Sequence, residues 1–522
     1  MVRAVNRIFA WPRLLALLGG LGSALAFEPL GLWPLGLLAL ALLIELIGRA
    51  ETWRRAFVLG WLFGFAQFTL GLNWLVTAFG FQAALPPWLG WVAVAGLAAY
   101  LAIWPGLSAA AAFAVGRTNR AALVLAMAGC WILGEWLRGW VFTGFPWNPL
   151  AAITLKSFAN PGLAMSAKWL GTYALSGLVV LLAGGLLLAA HRRRGDWQTA
   201  LLALGPIALF LLPAATDQRE GRLAYTLVQA NLSQDSLHDP ESYADQFRRS
   251  SSLSLARRPG QRRVVFWPES GVPVLLKNGY PTGYYAAFNY TEDPVAARAS
   301  LARVAGEGGL LLTGNTELVL DGSKLVGARN SVTAIDSRAA IRGFYYKSHL
   351  VPFGEYVPLS SVLEPLGLAR FVPGDIAFIP GPGPRTIDFG PWGKAGIGVC
   401  YEVIFPGAQV DRADRPDYMF NPSNDGWYGA WGPPQHLAQA RLRAIEEGLP
   451  LIRATTTGIS AVIDASGAVR AAIGLDKAER RDGMIPPALP PTLFAQYGNP
   501  LSLVWAIALL GLSLVARRRL RE

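Results

Sequence analysis

Cysteine, histidine and charged residues are scarce in this chain of 522 residues. It holds two cysteines, Cys130 and Cys400, four histidines, and only 15% charged residues. Two cysteines exclude a disulfide framework, and Cys130 lies inside an apolar run, so we expect Cys400 to be a free thiol. No C-x-x-C, H-E-x-x-H, Walker or G-x-G-x-x-G pattern stands in a suitable context. The sequence therefore predicts no metal ion and no cofactor.

Apolar residues, by contrast, are abundant. They make up 53% of the chain, which also contains 19 tryptophans. This composition is typical of a membrane protein. The formal net charge of +12 could indicate nucleic-acid binding. The basic residues, however, occur in short runs beside apolar segments and form no basic, aromatic-bearing face. We interpret them as topology signals and predict no nucleic-acid partner.

Residues 1–216 are predicted to form a membrane domain. A bilayer crossing takes about 20 apolar residues, and seven stretches are long enough or nearly so: 10–27, 31–48, 57–77, 89–113, 121–141, 165–189 and 199–215. An eighth stretch, 499–516, follows a Pro-rich linker that begins at Pro486. The expected fold class is thus a polytopic α-helical membrane domain of eight spans joined to an α/β domain.

The arginines predict the orientation of these spans. Basic residues occur at the N-terminus, near residues 49–55, 117–120 and 192–194, and in the C-terminal tail, which are alternate connections. By the positive-inside rule these ends face the cytoplasm. The segment 220–490 would then lie on the outer side of the membrane, anchored at both ends.

Segment 220–490 shows alternating strand and helix patterns. Strand-like runs begin near residues 223, 262, 309, 394, 416, 449 and 459. Polar helical patterns fall at 239–257, 293–306 and 433–448. Such alternation favours a layered α/β fold.

The stretch GVCYEVIFP places Cys400 after an apolar strand and before a possible helix. Backbone N–H groups at such a turn favour an anion, so a reactive thiolate is one interpretation. The other is a small buried apolar residue, which is how most free cysteines behave.

Two further motifs place ionisable residues at expected strand ends. VVFWPES carries Glu269, and YYKSHLVPFGEYVP carries Lys347 and Glu355. A carboxylate, an ammonium and a thiol can together perform acyl transfer: Glu269 as general base, Lys347 as oxyanion stabiliser with the Tyr401 N–H, and Cys400 as nucleophile. Each residue considered alone also has a structural interpretation: Glu269 could be a cap, Lys347 a surface charge and Glu402 an ion-pair partner.

In the fifth apolar stretch, Glu135 and Arg138 lie three residues apart and predict an ion pair at the outer interface. Four aromatic residues follow within 140–147. These aromatics and the uncharged loop 77–92 are the candidate entrance for an acyl chain.

The motifs WPES, K-H-L-VPFGEYVP, G-CYE and NPSNDGWYG, in this order, resemble the carbon–nitrogen hydrolase (nitrilase) superfamily, whose members use a Glu-Lys-Cys triad on an αββα sandwich. Set between seven N-terminal spans and one C-terminal span, and with the membrane motif EWLRGW..TGFPW, the chain resembles the apolipoprotein N-acyltransferase family.

The resemblance implies roles for nine residues. Glu269, Lys347 and Cys400 match the catalytic triad, and Glu355, Tyr401 and Glu402 match residues that support the triad or the oxyanion. Trp427, Tyr428 and Trp147 are expected to contact substrate. One departure is His238, which stands where relatives commonly have tryptophan.

The implied reaction moves an acyl chain from a phospholipid, expected to be phosphatidylethanolamine, through a Cys400 thioester to the N-terminal amine of a diacylglyceryl-cysteine lipoprotein. The implied setting is a monomer in the bacterial inner membrane, with the catalytic domain on the periplasmic side. Two alternatives stay open at this point: a membrane-tethered amidohydrolase that uses water as the acceptor, and a non-catalytic scaffold.

Overall fold

The computed structural model describes residues 11–518 except 82–85, 87, 193–195, 217, 238, 290–292 and 364–375. His238 therefore lies outside the described residues, as does part of the loop 77–92.

The N-terminal part and the C-terminal end are helical. The helices are α1 (Pro12–Ala24), α2 (Trp33–Gly48), α3 (Trp53–Gly71), α4 (Leu75–Phe79), α5 (Leu89–Leu101), α6 (Ile103–Gly116), α7 (Arg120–Arg138), α8 (Ala167–His191), α9 (Trp197–Leu211) and, at the end of the chain, α17 (Pro500–Arg518). Each predicted apolar stretch thus contains helix. Among the described residues, four helical segments are long and apolar enough to cross a membrane: Leu89–Gly116, Arg120–Arg138, Gly162–His191 and Pro500–Arg518. Apolar helices α2 and α9 are shorter.

Between these helices lies a domain with two six-stranded sheets. The first has the order β12-β1-β2-β3-β4-β5 and the second the order β11-β10-β9-β8-β7-β6. The strands are β1 (Ala224–Gln229), β2 (Arg263–Phe266), β3 (Gly309–Asp321), β4 (Lys324–Asp336), β5 (Ile341–Tyr346), β6 (Thr386–Asp388), β7 (Lys394–Ile397), β8 (Tyr418–Ser423), β9 (Leu451–Thr455), β10 (Ser460–Ile463), β11 (Val469–Ile473) and β12 (Glu479–Met484).

Apolar residues alternate along the strands, so each sheet presents an apolar face to the other. The two sheets pack together through these faces. Leu227, Phe266 and Leu312 of the first sheet share a buried core with Phe420 and Ile452 of the second. β1, β2 and β3 run parallel, as do β7, β8 and β9. The carboxyl ends of parallel strands gather at one edge of a sheet, which is where α/β proteins place their sites.

The described residues of this domain also form seven helices, and those that contact the strands cover the sheets in an αββα sandwich. They are α10 (Gln234–Leu237), α11 (Tyr243–Ser254), α12 (Thr282–Phe288), α13 (Pro294–Ala305), α14 (Ser360–Leu363), α15 (Gly432–Glu447) and α16 (Leu493–Tyr497). Leu301 of α13 packs on the first sheet, and Leu437 of α15 lies with residues of the second.

Helix α15 joins the sandwich to the helical bundle. Every residue from Gly432 to Glu447 except Pro434 is buried. Leu437 packs with the second sheet, whereas Leu442 and Ile445 belong to the apolar core of the bundle. The sandwich therefore rests on the helices through α15.

Two local expectations are wrong. Glu135 and Arg138 bind the backbone and do not pair with each other: Glu135 accepts hydrogen bonds from the Leu150 N–H (2.9 Å) and the Trp131 indole (3.0 Å), and Arg138 donates to the carbonyls of Phe145 (3.0 Å) and Trp147 (2.8 Å). They fold the segment 139–150 back over the end of α7. The segment after Pro486, expected to be only a linker, forms the helix α16, and Phe494 of this helix is fully buried.

Candidate active site

Cys400 lies just after the carboxyl end of β7, in a left-handed backbone conformation (φ 50°) that L-residues rarely adopt. A short 3-10 turn, Cys400–Ile404, follows it where a longer helix was expected. The thiol is buried, with 4% of the residue exposed. Its Sγ lies 3.8 Å from the hydroxyl oxygen of Tyr428.

Burial, together with the charge of Glu269, raises the pKa of the Cys400 thiol well above its usual range, although Lys347 acts in the opposite direction. This direction favours the thiol over a preformed thiolate. A nucleophile with a raised pKa needs a base within the site.

Glu269 follows β2 and is 6% exposed. One carboxylate oxygen accepts a hydrogen bond from the Asn424 N–H (2.8 Å), and the other accepts one from the Asn330 side-chain amide (2.6 Å). The backbone of this turn lies against Gly314 of β3, where a Cβ would come within 2.7 Å of the Glu269 Cα. A glycine at position 314 thus permits the turn that presents Glu269.

Lys347 follows β5 and is 2% exposed. Its ammonium lies 3.0 Å from Glu355 and 3.6 Å from Glu269. Burial alone would lower the pKa of Lys347, but these two carboxylates outweigh it and raise the pKa. The ammonium therefore stays charged and fixed in position.

Asn330 of β4 links these groups, and sequence reasoning missed it. Its side-chain amide donates to Glu269 (2.6 Å) and to Glu355 (3.0 Å). Glu355 is held in turn by the Val351 N–H (2.8 Å). The structure thus places Glu269, Lys347 and Glu355 in one buried, hydrogen-bonded cluster.

Glu402 connects the cysteine turn with the lysine loop. Its carboxylate accepts hydrogen bonds from the N–H groups of Val399 (2.7 Å), Ser348 (2.8 Å) and His349 (3.0 Å), and from two hydroxyls, those of Ser348 (2.7 Å) and Tyr345 (3.0 Å). Because Ser348 and His349 directly follow Lys347, Glu402 fixes the lysine relative to Cys400.

Tyr401 points towards the helical bundle. Its hydroxyl donates to the carbonyl of Gly144 (3.0 Å), and the His349 ring nitrogen Nε2 donates to the carbonyl of Thr143 (2.9 Å). Both acceptors belong to the segment that Glu135 and Arg138 fold back. The segment 139–148 is therefore docked beside the cysteine turn.

A second buried cluster lies beneath Cys400 and was also missed. The Nε2–H of His436 donates to the carbonyl of Cys400 (3.2 Å), and Nδ1 lies 3.0 Å from Asp425 and 2.9 Å from Arg453. All three residues are at most 1% exposed. Burial and the charge of Arg453 lower the pKa of His436, so this imidazole is neutral. The chain has only four histidines, and His436, seven residues after NDGWYG in a helical pattern, was the available signal.

The residues expected to contact substrate occupy different positions. Tyr428 lies next to the sulfur, and half-buried Trp427 makes an edge contact with Phe81 (5.5 Å). Trp147 is fully buried and donates its indole N–H to Gln435 (2.8 Å) while its ring packs against Tyr428 (5.5 Å). Protein surrounds Trp147 in this arrangement, and its ring supports Tyr428 from behind, so its direct contact with substrate stays a prediction.

Two family models match separate parts of this chain. The family described as "Apolipoprotein N-acyltransferase N-terminal domain" matches residues 19–185, and "Carbon-nitrogen hydrolase" matches residues 226–482. The apolipoprotein N-acyltransferase of Rhodopseudomonas palustris is 33% identical over 98% of this chain and 96% of that protein. That of Bradyrhizobium diazoefficiens is 34% identical over 99% and 97%, respectively. The crystal structure of the C. elegans NitFhit protein is 21% identical and covers 57% of this chain and 65% of that one, with a TM-score of 0.37.

Proposed function

The chain belongs to the apolipoprotein N-acyltransferase family, and from this premise we propose that it moves a fatty acyl chain from a phospholipid to the N-terminal amine of a diacylglyceryl-cysteine lipoprotein. The single observation that carries the proposed site is the buried cluster of Glu269, Lys347 and Glu355 beside Cys400, docked against segment 139–148 of the bundle. The phospholipid and the lipoprotein are both amphiphiles. A site that transfers an acyl chain between them must therefore lie at the border between a hydrophilic domain and the membrane.

The first half-reaction forms the thioester. Glu269 accepts the proton of the Cys400 thiol while the sulfur attacks the ester carbonyl carbon, and the carbonyl π electrons move to the oxygen. The tetrahedral intermediate collapses, the ester C–O bond breaks, and the leaving alkoxide takes the proton from Glu269. The products are the acyl-Cys400 thioester and a lysophospholipid.

The second half-reaction forms the amide. The lipoprotein α-amine attacks the thioester carbonyl, and Glu269 accepts a proton from the nitrogen. Collapse breaks the C–S bond, and the proton on Glu269 returns to the sulfur. Since Glu269 acts as base and then as acid in each half-reaction, the cycle ends in its starting protonation state.

The developing oxyanion is stabilised by two groups. The Lys347 ammonium supplies a charge that stays fixed because Glu355 holds it at 3.0 Å. The Tyr401 N–H, in the first turn after Cys400, supplies a backbone donor. Preorganised donors of this kind contribute about 3–4 kcal/mol each to transition-state stabilisation.

Substrate enters, in this proposal, between segment 139–148 and the loop around residues 77–92. Phe142 is 81% exposed, Trp88 64% and Trp140 54%, which is unusual for large apolar side chains unless they meet lipid or ligand. Trp427 and Tyr428 then line the path towards Cys400. The low exposure of Cys400 keeps bulk water from the thioester and favours the amine as acceptor.

The membrane arrangement is part of the proposal. Residues 1–216 cross seven times and residues 499–516 once, with basic ends in the cytoplasm and residues 220–490 on the periplasmic side of the inner membrane. The alternation of arginines supports it, as does the position of Arg49, Arg117 and Arg120 at one end of the bundle. We propose phosphatidylethanolamine as the acyl donor and a monomer as the working unit.

A two-step assay tests the function. Purified protein in nanodiscs is incubated with acyl-labelled phosphatidylethanolamine, the acyl adduct on Cys400 is measured by mass spectrometry, and a diacylglyceryl lipopeptide is then added. The expected result is loss of the adduct and gain of labelled amide. Labelled free fatty acid as the sole product would instead identify a hydrolase.

The two cysteines provide matched variants. Cys400→Ser should lower transfer at least about a thousandfold, because the nucleophile is lost. Cys130→Ser changes a buried cysteine of α7, far along the chain from the site, and should leave transfer near normal. Normal amide formation by Cys400→Ser would refute the thioester mechanism.

A further inference from the structure

The hydroxyl of Tyr428 faces the sulfur of Cys400. The hydroxyl oxygen and Sγ lie 3.8 Å apart, which is within hydrogen-bonding distance for sulfur. Among the described residues, this sulfur is the only hydrogen-bond partner of the hydroxyl. The motif NDGWYG predicted that Tyr428 contacts substrate, whereas the structure places the one polar atom of this side chain against Cys400.

The hydroxyl can donate a hydrogen bond to a charged sulfur. Burial raises the pKa of Tyr428 well above its ordinary value, so the hydroxyl keeps its proton at neutral pH. A thiolate carries no proton and can only accept a hydrogen bond. Because a hydrogen bond to the charged form of a group favours that form, the Tyr428 hydroxyl stabilises negative charge that develops on the sulfur.

Two tryptophans hold the Tyr428 ring in this position. The rings of Trp74 and Trp147 make edge contacts with it, at centroid distances of 4.5 and 5.5 Å. Both tryptophans are buried. The backbone is held as well, because the N–H of Gly429 donates to the carbonyl of Trp74 (3.4 Å). The hydroxyl therefore has little freedom to turn away from the sulfur.

Gln435 of α15 orients both tryptophans. Its side-chain oxygen accepts hydrogen bonds from the indole N–H groups of Trp74 (3.1 Å) and Trp147 (2.8 Å). Its side-chain N–H donates to the carbonyl of Glu28 (3.1 Å), which fixes the direction of the amide. Gln435 is 1% exposed. Since buried indole N–H groups need an acceptor, Gln435 determines how the two rings meet Tyr428.

We propose that Tyr428 is a catalytic residue, whose hydroxyl donates a hydrogen bond to the Cys400 sulfur in both half-reactions. Gln435 is its positioning residue and acts through the two tryptophans. The inference rests on the proposed acyl-transfer function. In the first half-reaction, the hydrogen bond stabilises the charge that the sulfur gains as Glu269 takes its proton.

In the second half-reaction, the same hydrogen bond assists the departure of the sulfur. The C–S bond breaks and its electron pair goes to the sulfur. The Tyr428 hydroxyl stabilises this charge until the proton on Glu269 returns to the sulfur. Tyr428 keeps its own proton throughout, so the proton balance of the cycle is unchanged.

Alkylation of Cys400 tests the hydrogen bond without acyl transfer. The full chain carrying Cys130→Ser is treated with iodoacetamide in nanodiscs at mildly alkaline pH, and the adduct is followed by mass spectrometry. Tyr428→Phe keeps the ring and leaves in place the charged groups that act on the thiol, which are Glu269, Lys347 and Asp425. We expect alkylation to slow about threefold to tenfold, because the thiolate fraction falls while the greater nucleophilicity of the remaining thiolate recovers part of the rate.

Tyr418→Phe is the matched control. Its hydroxyl is also a buried donor, to the carbonyl of Trp392 (3.3 Å), but Tyr418 begins β8 whereas Tyr428 follows the end of that strand. This control should leave alkylation and acyl transfer near normal. Tyr428→Phe should lower kcat about tenfold to a hundredfold with little change in KM, as expected for loss of a hydrogen bond to a charged group.

The two assays separate this inference from the proposed function. Unchanged alkylation together with an unchanged kcat in Tyr428→Phe would overturn the catalytic role of the hydroxyl. Because alkylation needs no lipid, slowed alkylation in a chain that forms no lipopeptide amide would support the hydrogen bond and count only against the proposed function.

A double-mutant cycle tests the positioning role of Gln435. Gln435→Leu removes the acceptor of both indole N–H groups and should slow Cys400 alkylation, whereas Gln435→Glu keeps an acceptor and should recover part of the rate. If Gln435 acts through the hydroxyl, Gln435→Leu should cause little further slowing in the Tyr428→Phe background. Independent, multiplicative effects would refute the positioning role. Melting temperatures of all variants in the same detergent control for fold.

Discussion

At the scale of single residues, the charge on each group depends on its burial. Cys400 is enclosed next to Glu269, and both effects raise the pKa of its thiol. Lys347 keeps its charge because Glu355 and Glu269 offset the loss of solvent. The proposed mechanism therefore starts from a neutral thiol beside a charged ammonium, and the proton leaves the sulfur as the sulfur attacks.

This charge state predicts a titration. The ultraviolet thiolate absorbance of the protein, minus that of Cys400→Ser, should show no thiolate at neutral pH and rise only above the ordinary thiol pKa of about 8.5. Lys347→Met removes a cation and should raise the pKa of Cys400 further. Glu269→Gln removes an anion and should lower it. A thiolate already present at neutral pH would contradict this account.

His436 is a positioning residue that acts through the backbone. Its donation to the Cys400 carbonyl polarises the peptide group that also contains the Tyr401 N–H, the backbone donor of the proposed oxyanion site. We expect His436→Phe to lower kcat about tenfold to a hundredfold with little change in KM. His436→Gln keeps an N–H in nearly the same place and should recover part of the loss.

The comparison of the two variants separates this role from simple packing. If His436 only fills space, Phe should be tolerated as well as Gln, or KM and kcat should change together. Thermal unfolding of both variants, measured in the same detergent, serves as the control for fold.

At the scale of elements, a break in helix α8 connects the bundle with the sandwich. Gly171 has a φ of 76° inside this helix. The break frees two backbone groups, and both find partners: the Thr172 N–H donates to Glu446 of α15 (2.7 Å), and the Leu170 carbonyl accepts from Ser502 of α17 (3.2 Å). Buried backbone groups must be paired in this way, so the break and its neighbours depend on one another.

The break predicts a strong requirement for glycine. An added Cβ at position 171 would lie 2.6 Å from the ring of Phe494, in a backbone conformation that L-residues avoid. We expect Gly171→Ala to lower the free energy of unfolding by about 2–3 kcal/mol. Thermal unfolding in detergent, with the change in melting temperature, measures this effect.

Gly96 in α5 provides the matched control. A Cβ there would meet nothing within 4 Å, and the backbone is helical. Gly96→Ala should leave the melting temperature unchanged or raise it slightly, because alanine is the better helix former by about 1 kcal/mol. Equal destabilisation by both substitutions would contradict the explanation.

At the scale of the whole molecule, the orientation of the chain in the membrane can be measured directly. The native cysteines are poor reporters because Cys400 is 4% and Cys130 6% exposed. In a chain carrying Cys130→Ser and Cys400→Ser, Ser323→Cys places an exposed thiol on the sandwich and Glu51→Cys places one at the basic end of the bundle.

An impermeant maleimide applied to intact spheroplasts should label Ser323→Cys at once. It should label Glu51→Cys only after lysis. The reverse pattern would place the sandwich in the cytoplasm and refute the proposed arrangement.

The sequence by itself indicated the long apolar helices, seven of the twelve strands that the described residues form, and three members of the proposed site. Long apolar runs predicted the helices, and short apolar runs ending in an ionisable residue predicted where Glu269, Lys347 and Cys400 would lie, because strand ends follow from local hydrophobic pattern. It missed β4, β5, β6, β11 and β12, although β4 carries Asn330.

Only the tertiary structure decided how these residues are used. Asn330 joins two carboxylates and His436 reaches the Cys400 carbonyl through contacts between distant parts of the chain, which no local pattern encodes. Burial, which depends on both sheets and the bundle together, raises the pKa of Cys400, and the nearby carboxylates of Glu355 and Glu269 raise that of Lys347. The hydrophobic pattern of the sequence determines which ionisable side chains lie at the strand ends. Exclusion of solvent and contacts between distant parts of the chain determine the charge and the geometry of those side chains.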